Sequence, residues 1–288
     1  MILEFKNINK NYNKVKALID ISFSIPENSI FGILGANGSG KSTFMKILPG
    51  LIHDWTGEIY YNSIGIQKND MILRKDFGYL IEAPTFYEYL SAQKNLEILS
   101  RISKVNPNRI DEVLKLVELS HRADDKVSAY SYGMKQRLGI AQALLHNPKI
   151  LVLDEPNNGL DPNGINDMIR LIKKLKSEGK TICLSTHNLK DVEELCTDFT
   201  VFKDGVCSDS VSLNEQLMKS FKWMITVKNP EPVIDKINES DDFTFISSFN
   251  NNILIQTKTK DTIANLNNVL SGEDIYKISK ESNLIEYF

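Results

Sequence analysis

Cysteine is scarce in this 288-residue sequence, long apolar runs are missing, and basic residues hold no majority. Each lack excludes something. Cys183, Cys196 and Cys207 are odd in number and show no metal-ligand spacing, so neither a disulfide framework nor a zinc site is expected, and the thiols read as reduced and structural. No run approaches the ~18 to 20 apolar residues of a membrane span. The opening Met1-Ile-Leu-Glu-Phe-Lys6 lacks the apolar region of a signal peptide, so a cytosolic chain is expected. With 34 Lys plus Arg against 37 Asp plus Glu, the net charge of −3 gives no basic footprint for nucleic acid. No Asn-Lys-x-Asp motif for reading guanine occurs, and there is neither a low-complexity tract nor an internal repeat. The remaining composition, 42% hydrophobic and 25% charged, suits one large or two modest globular domains.

Against that background Gly35-Ala36-Asn37-Gly38-Ser39-Gly40-Lys41-Ser42, followed by Thr43, matches the whole phosphate-loop pattern. It follows the apolar run Ser29–Leu34 and precedes a plausible helix. Glycines let successive backbone N–H groups face the phosphates of a nucleoside triphosphate. Lys41 supplies a point charge to the terminal phosphates. The Ser42 hydroxyl is suited to Mg²⁺, and the helix N-terminus faces the anion with positive potential.

Alternation in 2–6 and 18–25 predicts paired strands around a turn at 11–14, and 29–34 a further strand. The helix after the phosphate loop should be short, because Pro49 and Gly50 stop it. A helical segment is expected from about 84 to 146, with Leu96, Leu99 and Ile102, then Ile110, Val113, Leu114 and Val117, at helical spacing. Lys149–Leu153 reads as a strand buried on both faces. Asp161 and Pro162 read as a helix start, Gly179 as its end, and 181–185 and 199–202 as strands. Alternating strands and helices imply an α/β fold with a parallel sheet. Beyond about 215, the order of segments 222–228, 231–239, 242–247, 252–257, 261–270 and 275–279 suggests a β-α-β-β-α-β, ferredoxin-like appendage. Its eight lysines against ten carboxylates argue against nucleic acid as its partner.

Asp154 and Glu155 end the buried strand, and adjacent strand residues point to opposite sides. One acid can therefore serve a metal while the next faces the reacting water: Asp154 for Mg²⁺, Glu155 for the water. Tyr130-Ser131-Tyr132-Gly133-Met134-Lys-Gln-Arg137 opens a helix, with Ser131 as its cap and Gly133 leaving a backbone N–H free.

Together with Asn158-Gly-Leu-Asp161-Pro162 and Ser185-Thr-His187, these residues resemble the signature motif, aspartate loop and switch histidine of the ATP-binding cassette (ABC) ATPases, over roughly residues 1–210. The resemblance implies a P-loop cassette at 1–215 with an antiparallel β subdomain and a helical subdomain, and a small accessory domain at 216–288. It implies a head-to-tail dimer, in which each ATP lies between the phosphate loop of one subunit and Ser131, Tyr132, Gly133 and Met134 of the other. Tyr12 falls where relatives stack a ring on adenine, Asp161 falls in the aspartate loop, and His187 is positioned to contact the γ-phosphate and hold Glu155. Two departures stand out: Tyr132 and Met134 replace the usual Gly and Gln, and Glu82 replaces the usual Gln as a Mg²⁺ ligand. Tyr132 is expected to keep an ordinary backbone conformation. The stretch Leu80–Leu90 and Ser131–Ala141 look most like bacitracin-transport and lantibiotic-immunity ATP-binding proteins. The resemblance thus implies the ATP-hydrolysing subunit of an antimicrobial-peptide exporter, peripheral on the cytosolic face of a separately encoded permease. A soluble ABC ATPase and a nucleotide-gated regulator are the alternatives. Phe86, Tyr87 and Tyr89 either line a groove for the permease or belong to the core.

Overall fold

The computed structural model describes residues 2–67, 70–215, 221–257 and 261–280. The chain divides into two compact units, Met1–Val211 and Ser212–Phe288.

In the first unit, β1 (Leu3–Tyr12) and β2 (Val15–Ile25) pair antiparallel around a turn at Asn13 and Lys14, tighter than the 11–14 expected. Asn13 takes a φ of 49°, a left-handed geometry that asparagine tolerates. Then β3 (Ile30–Leu34), buried at every residue, feeds the phosphate loop and the five-residue helix α1 (Lys41–Met45). Strands β4 (Thr56–Tyr61) and β5 (Ile64–Ile66) complete a four-stranded antiparallel sheet of order β2-β1-β4-β5. After α2 (Met71–Lys75) and β6 (Phe77–Leu80) come three helices, α3 (Ala92–Ile102), α4 (Asn108–Leu116) and α5 (Tyr132–Leu144).

The helical segment thus begins at 92, not 84. The chain before it is held in a loop by Asn95, whose Oδ1 accepts from Tyr87 N at 2.9 Å and whose Nδ2 donates to Tyr87 O at 3.1 Å, while Glu88 O and Leu90 O accept from Ser128 N and Val127 N. Ser91 caps α3 by accepting from Lys94 N at 3.2 Å. Ile102 also departs from the expected stripe: it is 73% exposed, while Leu96, Ile110, Val113, Leu114 and Val117 are buried.

The chain continues through β7 (Ile150–Asp154), α6 (Pro162–Ser177), β8 (Thr181–Thr186), α7 (Leu189–Leu195) and β9 (Asp198–Lys203) to the short β10 (Val206–Cys207) and β11 (Val211–Ser212). The second sheet runs β10-β9-β3-β8-β7-β6, with β11 also beside β9. Its β9-β3-β8-β7-β6 portion is parallel, so the C-terminal ends of β3, β7 and β8 open on one edge.

An aromatic cluster ties the two sheets to α1. Phe23 stacks on Phe31 at 5.2 Å, while Phe44 of α1 meets Phe5 at 4.8 Å and Phe202 at 5.6 Å. Such pairs contribute about 0.5–1.5 kcal/mol each beyond area burial, enough to hold a helix too short to be stable alone.

The second unit contains β12 (Lys222–Val227), α8 (Pro230–Glu239), β13 (Phe243–Phe249), β14 (Asn252–Thr257), a 3₁₀ turn at Asp261–Asn265 leading into the single-turn α9 (Leu266–Val269), and β15 (Ile275–Lys280). Its antiparallel sheet, ordered β13-β14-β12-β15, is ferredoxin-like in topology, and Ile225, Val227, Ile253 and Ile255 share a core with Val233 and Ile237 of α8. Of the appendage expected over 216–288, residues 216–220, 258–260 and 281–288 lie outside the described residues. No described helix is long and apolar enough to cross a membrane.

Candidate active site

The phosphate loop leaves β3 under tight backbone contact. At Gly40 φ is +107°, and a Cβ there would sit 2.7 Å from Ala17 O of β2, so any other residue would be strained and would push the hairpin away. Lys41 is 4% exposed and donates to Gly35 O at 2.7 Å and Ala36 O at 3.0 Å, folding its ammonium into the loop's own curl. Burial lowers its pKa, and the charges of Glu155 and Asp154 oppose that shift. Asn37, Gly38, Ser42 and Thr43 line the same cleft, with Lys16 and Ala17 from the hairpin, Glu155, and the Asp204-Gly205 turn. Those hairpin and turn residues were not foreseen, because they approach the loop from distant parts of the chain. Ser39 is buried at the base of the loop.

Strand ends β7 and β8 deliver the acids. Ser42 Oγ lies 3.5 Å from Asp154 Oδ1, and the same carboxylate oxygen accepts from Ser185 Oγ at 2.5 Å. Ser185 Oγ in turn accepts from Glu155 N at 3.0 Å, so one buried hydroxyl of β8 orients both acidic residues. Glu155 adopts a φ of +48°, a backbone state uncommon outside glycine, as the strand turns sharply. Its Oε1 is 3.7 Å from Lys41 Nζ and its Oε2 is 2.9 Å from His187 Nδ1. Glu155 is thus held between a buried cation and a half-exposed imidazole. Behind it, Asn157 Nδ2 donates to Asp191 Oδ1 at 3.1 Å and Thr186 Oγ1 to Asp191 Oδ2 at 2.6 Å, a buried network that braces the turn.

Ser131 caps α5, its Oγ accepting from Met134 N at 3.3 Å, and Tyr132 is the first helical residue with no positive φ. Ser131, Tyr132, Gly133 and Met134 line a second cleft with Gly159, Leu160 and Asp161. Asp161 caps α6 through Gly164 N at 2.8 Å. This cleft shares no lining residue with the phosphate cleft.

Glu82, just past β6, is 67% exposed at its side chain, has a φ of +64°, and pairs with Lys46 at 2.6 Å. That hydrogen bond and charge hold the Glu82 carboxyl below its usual range and raise the Lys46 pKa. No local pattern in the sequence marks Lys46 as its partner. Tyr12 is 46% exposed at the end of β1, with the Lys10 ammonium 4.3 Å from its ring centroid. Tyr87 and Tyr89 are exposed and edge-on to each other at 6.1 Å, so they are not core. A separate apolar groove, lined by Leu48, Met71, Tyr79, Ile102 and His146 among others, lies between α2 and the end of α3.

Residues 18–158 match the family model described as ABC transporter. The chain is 37% identical over 225 residues to the bacitracin transport ATP-binding protein BcrA of Bacillus licheniformis, covering 77% of this chain and 74% of that protein. It is 41% identical over 201 residues to the lantibiotic transport ATP-binding protein SrtF of Streptococcus pyogenes, covering 70% of this chain and 86% of that protein. Among solved structures, the ATP-binding cassette MJ0796, a dimer in a post-hydrolysis state bound to ADP and phosphate, superposes with a TM-score of 0.65 at 30% identity, covering 74% of this chain and 99% of that one.

Proposed function

This chain belongs to the ATP-binding proteins of ABC transporters, enzymes that couple ATP hydrolysis to transport, and from that premise we propose that it powers export of a peptide antibiotic as one half of a cassette dimer. The observation that carries the chemistry is Glu155, held at 3.7 Å from Lys41 and 2.9 Å from His187 at the mouth of the phosphate cleft.

Lys41 and the loop N–H groups bind the phosphates, and the signature Ser131 and Gly133 of a second subunit close over the γ-phosphate from outside. Glu155 accepts a proton from the attacking water as its oxygen bonds to the γ-phosphorus and the bridging bond to ADP breaks. His187 holds the Glu155 carboxylate in line. Among the described residues no cluster of three His, Cys, Asp or Glu could hold a metal. The hydroxyl of Ser42 and the carboxylate of Asp154 are the hard oxygen pair that suits Mg²⁺, an ion that takes few protein ligands and completes its shell with phosphate and water. When bound, Mg²⁺ neutralises charge on the phosphates. Glu82, paired with Lys46 at 2.6 Å, would have to release that lysine before its carboxylate could join the set.

The peptide antibiotic is argued from BcrA and SrtF, whose names give bacitracin and a lantibiotic as cargo. The groove exposing Met71 and Ile102 is the seat for a cytosolic helix of a separately encoded permease, which would hold this subunit at the membrane. The test is expression with its permease in a bacitracin- and lantibiotic-sensitive host. Wild type should raise tolerance, and Glu155→Gln should abolish both tolerance and phosphate release while retaining ATP binding. Glu155→Gln hydrolysing at the wild-type rate would sink the assignment of the base, and tolerance to neither agent would sink the cargo.

A further inference from the structure

One aromatic ring joins the helix that opens on the signature to the loop that follows Glu155. Tyr132, at the start of α5 and about half exposed, lies against Gly159: a Cβ at Gly159 would sit 3.2 Å from Tyr132 Cε1. Gly159 has a φ of +75°, which lets the loop turn beneath the ring without a side chain to lift it away. The ring is held from its own helix as well. Gln136, one turn on and 5% exposed, donates from Nε2 to the Tyr132 hydroxyl at 3.0 Å. Beside it, Leu160 Cδ2 comes within 3.4 Å of where a Gly133 Cβ would be, so two consecutive signature residues touch two consecutive loop residues.

The loop has fixed ends. Asn158 N donates to Glu155 O at 3.0 Å on one side, and Asp161 caps α6 on the other. Tyr132, Gly159 and Asn158 thus form a contiguous path from the signature to the backbone of Glu155. A small residue at 132 would leave a gap over Gly159 and break it.

We propose that Tyr132 is a positioning residue that conveys the state of the ATP held against this subunit's signature to this subunit's own Glu155, which serves the other ATP of the dimer. The two hydrolysis sites are thereby linked. The inference rests on the dimer proposed above, since only there do the signature and Glu155 of one chain attend different nucleotides.

The experiment measures ATP binding, kcat, KM and the Hill coefficient of hydrolysis for the full chain and its variants. Tyr132→Ala should lower kcat on the order of 10- to 100-fold, the cost of a small misplacement of a reacting group, with KM changing by less than about threefold. Its Hill coefficient should fall toward about 1 as the coupling between sites is lost. Tyr132→Phe keeps the ring over Gly159 and should rescue most of the kcat and the cooperativity. Gly159→Ala, which drives a Cβ toward the ring, should reproduce the alanine phenotype, and it decides the matter if Tyr132→Ala fails to fold. Wild-type kcat and cooperativity in Tyr132→Ala, or in Gly159→Ala where that variant decides, overturn the link alone if Ser131→Ala still loses turnover. Should Ser131→Ala also leave turnover unchanged, the dimer reading falls with it.

Discussion

Burial lowers the Lys41 pKa while Glu155 and Asp154 oppose the shift, and its ammonium is already satisfied by two loop carbonyls. The lysine is thus preorganised and meets an incoming phosphate without first being desolvated. Lys41→Ala should weaken ATP binding by about 1.5–3 kcal/mol, the range of a hydrogen bond to a charged group, or roughly 10- to 100-fold in Kd by calorimetry. Unchanged affinity would count against its phosphate role. Glu82 and Lys46 form a different kind of pair, exposed and exchangeable. The Lys46 charge favours the ionised form of Glu82, so the pair persists through neutral pH and is lost in acid, as pH falls through the lowered Glu82 pKa, and in alkali, as pH rises through the raised Lys46 pKa. Lys46→Met should let the Glu82 pKa climb back toward the ordinary carboxylate value, read from the pH dependence of its carboxyl carbon shift by NMR. A titration that does not move would mean that some other group holds the carboxylate down.

At the scale of elements, legibility in the sequence followed the strength of the local pattern. The run ending at Asp154 reads as a buried strand because it is apolar throughout, and α6 is bracketed by Asp161-Pro162 and Gly179, whose φ is 86°. Strands β4 and β5 were not foreseen: one opens Thr-Gly-Glu with exposed residues, the other has three residues, and both depend on pairing with β1 or each other. Helix α2, five residues long, gives no periodicity to read. In the site, the phosphate loop and the Asp154-Glu155 pair are contiguous and visible in the sequence. The contacts Lys46–Glu82, Ser185–Asp154 and Tyr132–Gly159 join segments far apart in the chain, so no local pattern announces them. Ile102 illustrates the limit of periodicity. It continues the α3 stripe yet faces solvent, because that stripe runs past the core into the groove with Met71. Exposed apolar side chains grouped in a groove mark a binding surface. Met71→Glu with Ile102→Glu should therefore leave ATP hydrolysis by the free subunit near wild type and abolish co-purification with the permease from solubilised membranes. Retained co-purification would place the permease elsewhere.

For the molecule as a whole, the question is whether the ferredoxin-like unit is needed for the rest to fold. Each unit has a core cluster of its own. That of the first ends with Phe202 among fully buried side chains, and that of the second is built from Ile225, Val227, Val233, Ile237, Phe243, Ile253, Ile255, Leu266 and Leu270. Every strand of the β13-β14-β12-β15 sheet pairs within that sheet, so removing it leaves no unpaired strand edge in the parallel sheet, where β9 ends against β10 and β11. The phosphate cleft, the signature cleft and Glu155 are lined by residues no later than Gly205. Truncation near residue 215 should therefore yield a protein that unfolds in one cooperative transition and binds ATP with an affinity within about threefold of the full chain, since independent cores fold as independent units. The released segment, fewer than 80 residues, would be marginal alone, because a domain of that size buries too little of its surface for a large margin of stability. Circular dichroism melts and calorimetric ATP titration of the truncated chain measure both points. An insoluble fragment, or one that binds ATP but no longer dimerises with it, would make the C-terminal unit part of the cassette's own architecture and would move the domain boundary out of this region of the chain.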